Sequence, residues 1–211
     1  MVDASGTELI EMLELASPPD LYWADTHFFH VAMQWHHPWR GEVIGCGPLM
    51  ASGEATLADA TRFAQIALQS LEGHRGAMLL HLGDVAMGQA LHHMLVRDAI
   101  RRSGVRVTLV QGNHDGAASW CSRLGVGVVC DGVRFHVDGR WVTARHDPAD
   151  FSMDDARRSE VLLHGHCHGN PPASGIPPLI RSKLIDGSMD RLRVPRPITW
   201  SELLASGQSV S

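Results

Sequence analysis

Five times in this chain a short apolar run stops and a residue able to hold a metal ion follows at once. Residues 21–24 empty into Asp25-Thr26-His27, residues 77–82 into Gly83-Asp84, and residues 105–110 lead by Gln111 to Gly112-Asn113-His114-Asp115. A run closing at Arg145 gives His146, and residues 161–163 lead through His164 to Gly165-His166-Cys167-His168. Short apolar runs rich in Val and Leu and bounded by turn residues predict buried strands. In open α/β sheets the loops beyond the strand carboxyl ends converge on one crevice. A chain of this kind is therefore expected to fold into a layered α/β domain with carboxylate, amide and imidazole groups gathered at one edge.

The intervening segments predict the rest of the frame. Residues 7–16 set Leu9, Ile10, Met12, Leu13 and Leu15 among acids, the pattern of an amphipathic helix ended by Pro18 and Pro19. Residues 26–53, rich in His, Trp, Gly and Pro, predict a long loop beside the site, and a helix runs from Ser52 or Gly53 to about Leu71. Another helix is expected over 89–102, closed by Gly104. Asp131-Gly132 and Asp138-Gly139 predict tight hairpins among three short strands, so that the second half turns antiparallel. Residues 170–178, with four prolines, form a loop; 179–185 read as a late strand, and 201–205 as a helical turn capped by Ser201 with Glu202 beside it.

With 211 residues and no repeat or low-complexity linker, a single domain over 1–211 is expected, with 186–211 as a C-terminal extension. Charged residues make up 19% against 44% hydrophobic, and no apolar run approaches the roughly 20 residues that span a bilayer, so disorder and membrane spanning are excluded. A net charge of −5 and no basic block longer than a pair such as Arg101-Arg102 argue against a broad nucleic-acid surface. The acidic N-terminus, with Asp3, Glu8, Glu11 and Glu14, lacks the pattern of a secretory signal, which makes the cytoplasm the expected location. Four cysteines with no C-x-x-C pair are expected to be reduced thiols, whereas 14 histidines direct attention to metal or proton chemistry.

Singly the blocks are weak. In a chain with 15 Asp and 14 His, D-x-H arises by chance about once, as does H-x-H, and Gly-Asp is an ordinary turn. Their order carries the signal. D-x-H, G-D, G-N-H-D, a lone His after a strand, and G-H-x-H, spanning Asp25 to His168, resemble the signature of the calcineurin-like metallophosphoesterase superfamily. Asp25-Thr26-His27-Phe28 with His30, the His37-Pro38-Trp39-Arg40 turn, and Asp186-Gly187-Ser188-Met189-Asp190 leading to Arg196-Pro197-Ile198 resemble a small bacterial and phage branch of it. Two positions depart from the pattern: Arg145 stands where the family has Ser, Gly or Thr, and Asp147 adds a negative charge after His146.

The resemblance implies a four-layer α-β-β-α sandwich of two mixed sheets with a dinuclear site at one edge. One ion would take Asp25, His27, Asp84 and His168, and the other Asp84, Asn113, His146 and His166, with Asp84 bridging through its two oxygens. Donors of oxygen and nitrogen without thiolate favour manganese, zinc, iron or nickel over a structural cysteine-type zinc site, and manganese is the expected ion. A water between two such ions loses its proton readily and can attack phosphorus in line with the leaving group. Asp84 and His114 are the implied catalytic residues, His114 contacting the phosphoryl group and protonating the leaving alkoxide. Asn113, His114 and Arg40 are the expected substrate contacts, Arg40 because guanidinium matches phosphate geometry. His30, His81 and His164 are expected as core or supporting histidines, Cys167 as pointing away, and the pairs His36-His37 and His92-His93 as surface or packing residues. Trp35 and Trp39 would cover the loop or stack on a base.

The expected activity is metal-dependent phosphoester hydrolysis, on nucleotides or nucleic-acid ends in preference to monoesters, with no membrane partner. A phosphomonoesterase, or a non-catalytic metal-binding scaffold on the same fold, are the alternatives; a scaffold would have eroded ligands, and none is missing here. Val85-Ala86-Met87-Gly88 after Asp84 lacks the longer G-D-x-x-D-R-G block of protein phosphatases.

Overall fold

Strands of alternating faces build two sheets that share one apolar interior. The computed structural model describes residues 10–47 and 55–207. Among them, β2 (Leu21–Trp23), β3 (Met78–His81), β4 (Arg106–Val110) and β5 (Val128–Cys130) pair in that order, every neighbour parallel. The second sheet runs β1 (Leu13–Glu14), β6 (Gly132–Val137), β7 (Arg140–Arg145), β8 (Val161–His164), β9 (Leu184–Asp186), with β6 and β7 antiparallel and the other pairs parallel. Side chains alternate across a strand. Tyr22, Ala24, Leu80 and Val110 therefore meet Val133, Phe135, Val142, Ala144, Val161 and Leu163 between the sheets, while Leu21, Trp23, Leu79, Val107 and Leu109 turn to the opposite face.

Helices cover both outer faces, which completes the expected four layers. On the parallel sheet lie α3 (Leu57–Gln69) and α4 (Ala90–Ser103). Helix α3 buries Ala60, Phe63, Ala64, Ala67 and Leu68, the three-and-four spacing of one helical face, and starts from a capping box in which Thr56 and Asp59 satisfy each other's backbone N–H. On the mixed sheet α6 (Met153–Arg158) and α7 (Pro178–Arg181) bring Ala156 and Ile180 onto Leu162. Trp200 and Leu203 of α9 (Trp200–Gly207) close one end of the interior between the sheets, so the C-terminal segment is part of the core.

Several local expectations are corrected. Of the helix expected over 7–16, residues 7–9 lie outside the described residues, and the remainder includes the strand β1, parallel to β6 with Leu13 opposite Val133. Its Leu13 and Leu15 both pack on the inter-sheet core, so the period of two overrides the helical reading. The long loop expected over 26–53 holds α1 (Val31–His36) and α2 (Pro38–Val43), with Pro38 in the first turn of α2 and Met33, Gln34, Trp39 and Arg40 buried; residues 48–54 lie outside the described part. Helix α3 accordingly begins from Thr56, and the expected start at Ser52 or Gly53 is among those undescribed residues.

Only one of the two Asp-Gly pairs makes a hairpin. Asp138 and Gly139 have φ of +49° and +76°, the pair of left-handed residues that a tight turn between β6 and β7 requires. At Asp131-Gly132 the chain instead passes from β5 in one sheet to β6 in the other, so the second half is mixed rather than antiparallel. Residues 179–185 divide between α7 and β9. The cap of α9 is Thr199, whose hydroxyl accepts from Glu202 N–H while the Glu202 carboxylate accepts from Thr199 N–H.

Candidate metal centre

All five strand-end blocks meet. Asp25 N–H donates to Gly83 O at 3.1 Å and His27 N–H to Asp84 O at 2.9 Å, which joins the first two. His114 N–H reaches Asp84 Oδ1 at 2.8 Å, and His166 N–H reaches the Asp25 carboxylate at 2.9 Å. Gly165 N–H donates to His146 O at 3.0 Å. Asp115, unassigned from sequence, accepts from the N–H groups of Asp84, Val85 and Gly112 at 2.8–2.9 Å and so knits the second block to the third.

The backbone is strained where the donors stand. Asp25, His27, Asp84, His166 and His168 have φ of +53°, +42°, +56°, +66° and +51°. Non-glycine residues held there cost on the order of 1–3 kcal/mol each and persist only where their surroundings over-determine them. Gly83, at φ +94°, has no alternative: a Cβ would lie 2.5 Å from His146 Nδ1 and 2.7 Å from Gly112 Cα.

One group of donors is Asp84, Asn113, His146 and His166. His146 Nδ1 lies 2.7 Å from Leu82 O, which can only accept, so Nδ1 carries the proton and Nε2 the lone pair. That Nε2 faces Asn113 Oδ1 at 2.9 Å, His166 Nδ1 at 3.3 Å and Asp84 Oδ2 at 3.5 Å. His166 sets its Nε2 3.5 Å from Asp147 Oδ2 and its Nδ1 3.1 Å from Asn113 Oδ1. Four nitrogen and oxygen atoms thus converge on one point, the lone pair of His146 Nε2 among them. The mixture of imidazole, amide and carboxylate suits a divalent transition metal at their centre.

The neighbouring group is Asp25, His27 and His168, whose donor atoms lie within 4.8 Å of one another. Burial, reinforced by the nearby carboxylates of Asp84, Asp186 and Asp190, pushes the Asp25 carboxyl well above the usual carboxylate range against the pull of the His166 N–H. Burial pushes the His27 imidazole down to about 2, helped by His168 and Arg40. Both ring nitrogens of His27 are buried without a hydrogen-bond partner, and its Nε2 lies 3.3 Å from Asp84 Oδ2. Unpartnered imidazole nitrogens beside two buried carboxylates have the chemistry to hold a cation, and Asp84 stands between the two groups.

His114 and Asn113 stand exposed at the rim, His114 with its ring centroid 5.4 Å from that of His27. Arg40 is a correction: it is fully buried, and its guanidinium donates to Asp190, to Thr26 O at 2.9 Å and to Asp25 O at 3.0 Å, so it braces the first block and does not face substrate. Trp39 is buried and donates to Asp190 Oδ1 at 3.0 Å, whereas Trp35 is 43% exposed. Sequence reasoning missed Asp190 and His37, which cluster with His168. The one available signal was their place in the two flanking segments, His37-Pro38-Trp39-Arg40 and Asp186 to Asp190. His81 donates to Thr26 Oγ1, His164 Nδ1 lies 2.7 Å from Gly165 O, and His92 and His93 pack on Phe29 and Trp120. The four cysteines are free; Cys167 belongs to neither donor group, and burial pushes its thiol up to about 12.

No protein-family model and no curated protein matches this chain. A crystal structure of a protein of unknown function from Aquifex aeolicus superposes with a TM-score of 0.61 at 18% identity, over 92% of this chain and 99% of that one, and shares the fold. A novel archaeal phosphodiesterase superposes with a TM-score of 0.35 at 12% identity, over 81% of this chain and 84% of that one, a likeness too slight to bear on function.

Proposed function

We propose that the chain hydrolyses phosphoesters with two divalent metal ions, one held by Asp25, His27, Asp84 and His168 and the other by Asp84, Asn113, His146 and His166. The observation that carries this reading is the convergence of His146 Nε2, Asn113 Oδ1, His166 Nδ1 and Asp84 Oδ2 on one point, beside an exposed His114. When bound, such ions supply positive charge for the phosphoryl oxygens and a nucleophile from water at neutral pH. The chain does the rest. Asp84 holds the two donor groups in register, Asn113 and His114 face the phosphoryl group from the rim, and His114 delivers a proton to the departing oxygen.

Asp147 at the open side favours a diester. A phosphodiester carries a single negative charge, and a monoester near neutral pH carries up to two, which a carboxylate beside His166 opposes. Nucleotides or nucleic-acid ends are the substrate class, manganese the first ion to test before zinc, iron and nickel, and the cytoplasm the proposed location. Among the described residues no helix is long and apolar enough to cross a membrane. The test is hydrolysis of bis-p-nitrophenyl phosphate and p-nitrophenyl phosphate by chelator-stripped protein with Mn²⁺, Ni²⁺, Zn²⁺ or Mg²⁺ restored singly. Metal-dependent diester cleavage is the expected result; faster monoester cleavage overturns the diester assignment, and inertness with two ions bound turns the centre into a binding module.

A further inference from the structure

We propose that Asp190 is a positioning residue for His168: its carboxylate accepts a hydrogen bond from the imidazole Nδ1–H and leaves the Nε2 lone pair for an ion shared with Asp25 and His27. This rests on the metal reading above. His168 Nδ1 lies 2.7 Å from Asp190 Oδ2. The carboxylate cannot turn away, because Arg40 Nε donates to its Oδ1 at 2.7 Å, Arg40 Nη2 to its Oδ2 at 2.8 Å, and Trp39 Nε1 to its Oδ1 at 3.0 Å. Paired with a guanidinium through both oxygens, Asp190 only accepts, so the proton of this contact sits on His168 Nδ1.

The same ion pair reaches the first block. The remaining Arg40 hydrogen bonds go to the carbonyls of Thr26 and Asp25 at 2.9 and 3.0 Å. One buried carboxylate therefore sets the imidazole of His168 and, through Arg40, the loop that carries Asp25 and His27. His37 stacks on His168 with ring centroids 5.2 Å apart, and its Nε2 is 3.6 Å from Asp190 Oδ2. His37, His168 and Asp190 together have the spacing of an ion site. Arg40 already compensates both Asp190 oxygens, so a cation there would meet a positive charge at short range; Asp190 supports His168 by a hydrogen bond, and His37 supports it by stacking. Carboxylates that take the far N–H of a ligating histidine fix its tautomer, and their loss lowers ion affinity by about 10–100-fold.

Two measurements on the full chain test this. Long-range ¹H–¹⁵N correlation spectra of the chelator-stripped wild type, with labelled histidine, should show His168 protonated at Nδ1 and bare at Nε2. Calorimetric titration of Mn²⁺ should show two ions bound by the wild type, and in Asp190→Asn one ion weakened by about 10–100-fold with the other unchanged. Equal affinities in wild type and variant, or a His168 proton on Nε2, overturns the role of Asp190. A wild type that takes up no Mn²⁺ or Zn²⁺ overturns the metal centre instead, and the tautomer then decides on Asp190 alone. Should Asp190→Asn fail to fold, the wild-type tautomer remains the deciding result.

Discussion

At the open half of the centre His166 and Asp147 are 39% and 35% exposed at their side chains, and Asn113 and His114 line the rim. At the other half Asp25 and His27 are buried to within 2% of full cover, walled by the Arg40–Asp190 pair. The open half is made mostly by short blocks whose own turns aim the donors. The buried half depends on a charge pair between residues 150 positions apart in the chain. A site reached by substrate can be assembled from local turns, whereas a buried ligand set needs its charges compensated from elsewhere in the fold.

Removing what the halves share should have the largest effect. Asp84→Asn is expected to abolish tight binding at both positions and to cut turnover by more than the roughly 100-fold ceiling of outer contacts; metal content after gel filtration and diester hydrolysis check it. Retention of both ions would break the shared role of Asp84. His114→Ala should divide the halves by function, with both ions kept and kcat lowered by about 10²–10⁴-fold. Unchanged turnover would take the proton delivery away from His114.

The buried half can be tested without any ion. Arg40→Met leaves Asp190 uncompensated and should cost roughly 3–5 kcal/mol in urea unfolding of the chelator-stripped protein. The double change Arg40→Met with Asp190→Leu should recover most of that loss, and a single variant as stable as the wild type would erase the contrast. On the exposed side Asp147→Asn should weaken ion binding by less than about tenfold, because an exposed contact is screened by water.

The smallest effect lies outside both halves and serves as their control. Arg196 and the Thr199 backbone hold the Glu202 carboxyl down to about 2 from its usual 4.5. A lowered carboxyl contributes fully above its unfolded value and loses that contribution as pH falls toward the folded one. Stability from this contact should therefore fade between pH 4.5 and about 2, and Glu202→Gln should flatten that part of the pH profile with hydrolysis at neutral pH unchanged. Loss of hydrolysis in this variant would mean that α9 reaches the centre.

Much of the open half was legible in the sequence because its information is local. Gly112-Asn113-His114-Asp115 and Gly165-His166-Cys167-His168 each follow closely on a strand, and short apolar runs bounded by turn residues locate those strands. The same local reading misjudged residues 26–53, where His and Pro suggested a loop and two short helices stand instead, held by the burial of Met33, Trp39 and Arg40. Arg40 was misread for the same reason. A guanidinium two residues after Pro38 has the chemistry of a phosphate contact until Asp190 arrives from the far end of the chain to claim it.

By itself the sequence determined the short apolar strands and the order of the donor blocks that follow them, since each is read from a few consecutive residues. Only the tertiary structure decided which histidine nitrogen carries a lone pair, that Arg40 faces inward, that β1 joins β6 and that Asp131-Gly132 crosses between sheets. Those outcomes depend on what lies across the interior from each residue. Desolvation there drives buried charges such as Arg40 and Asp190 to find each other, whatever their distance along the chain.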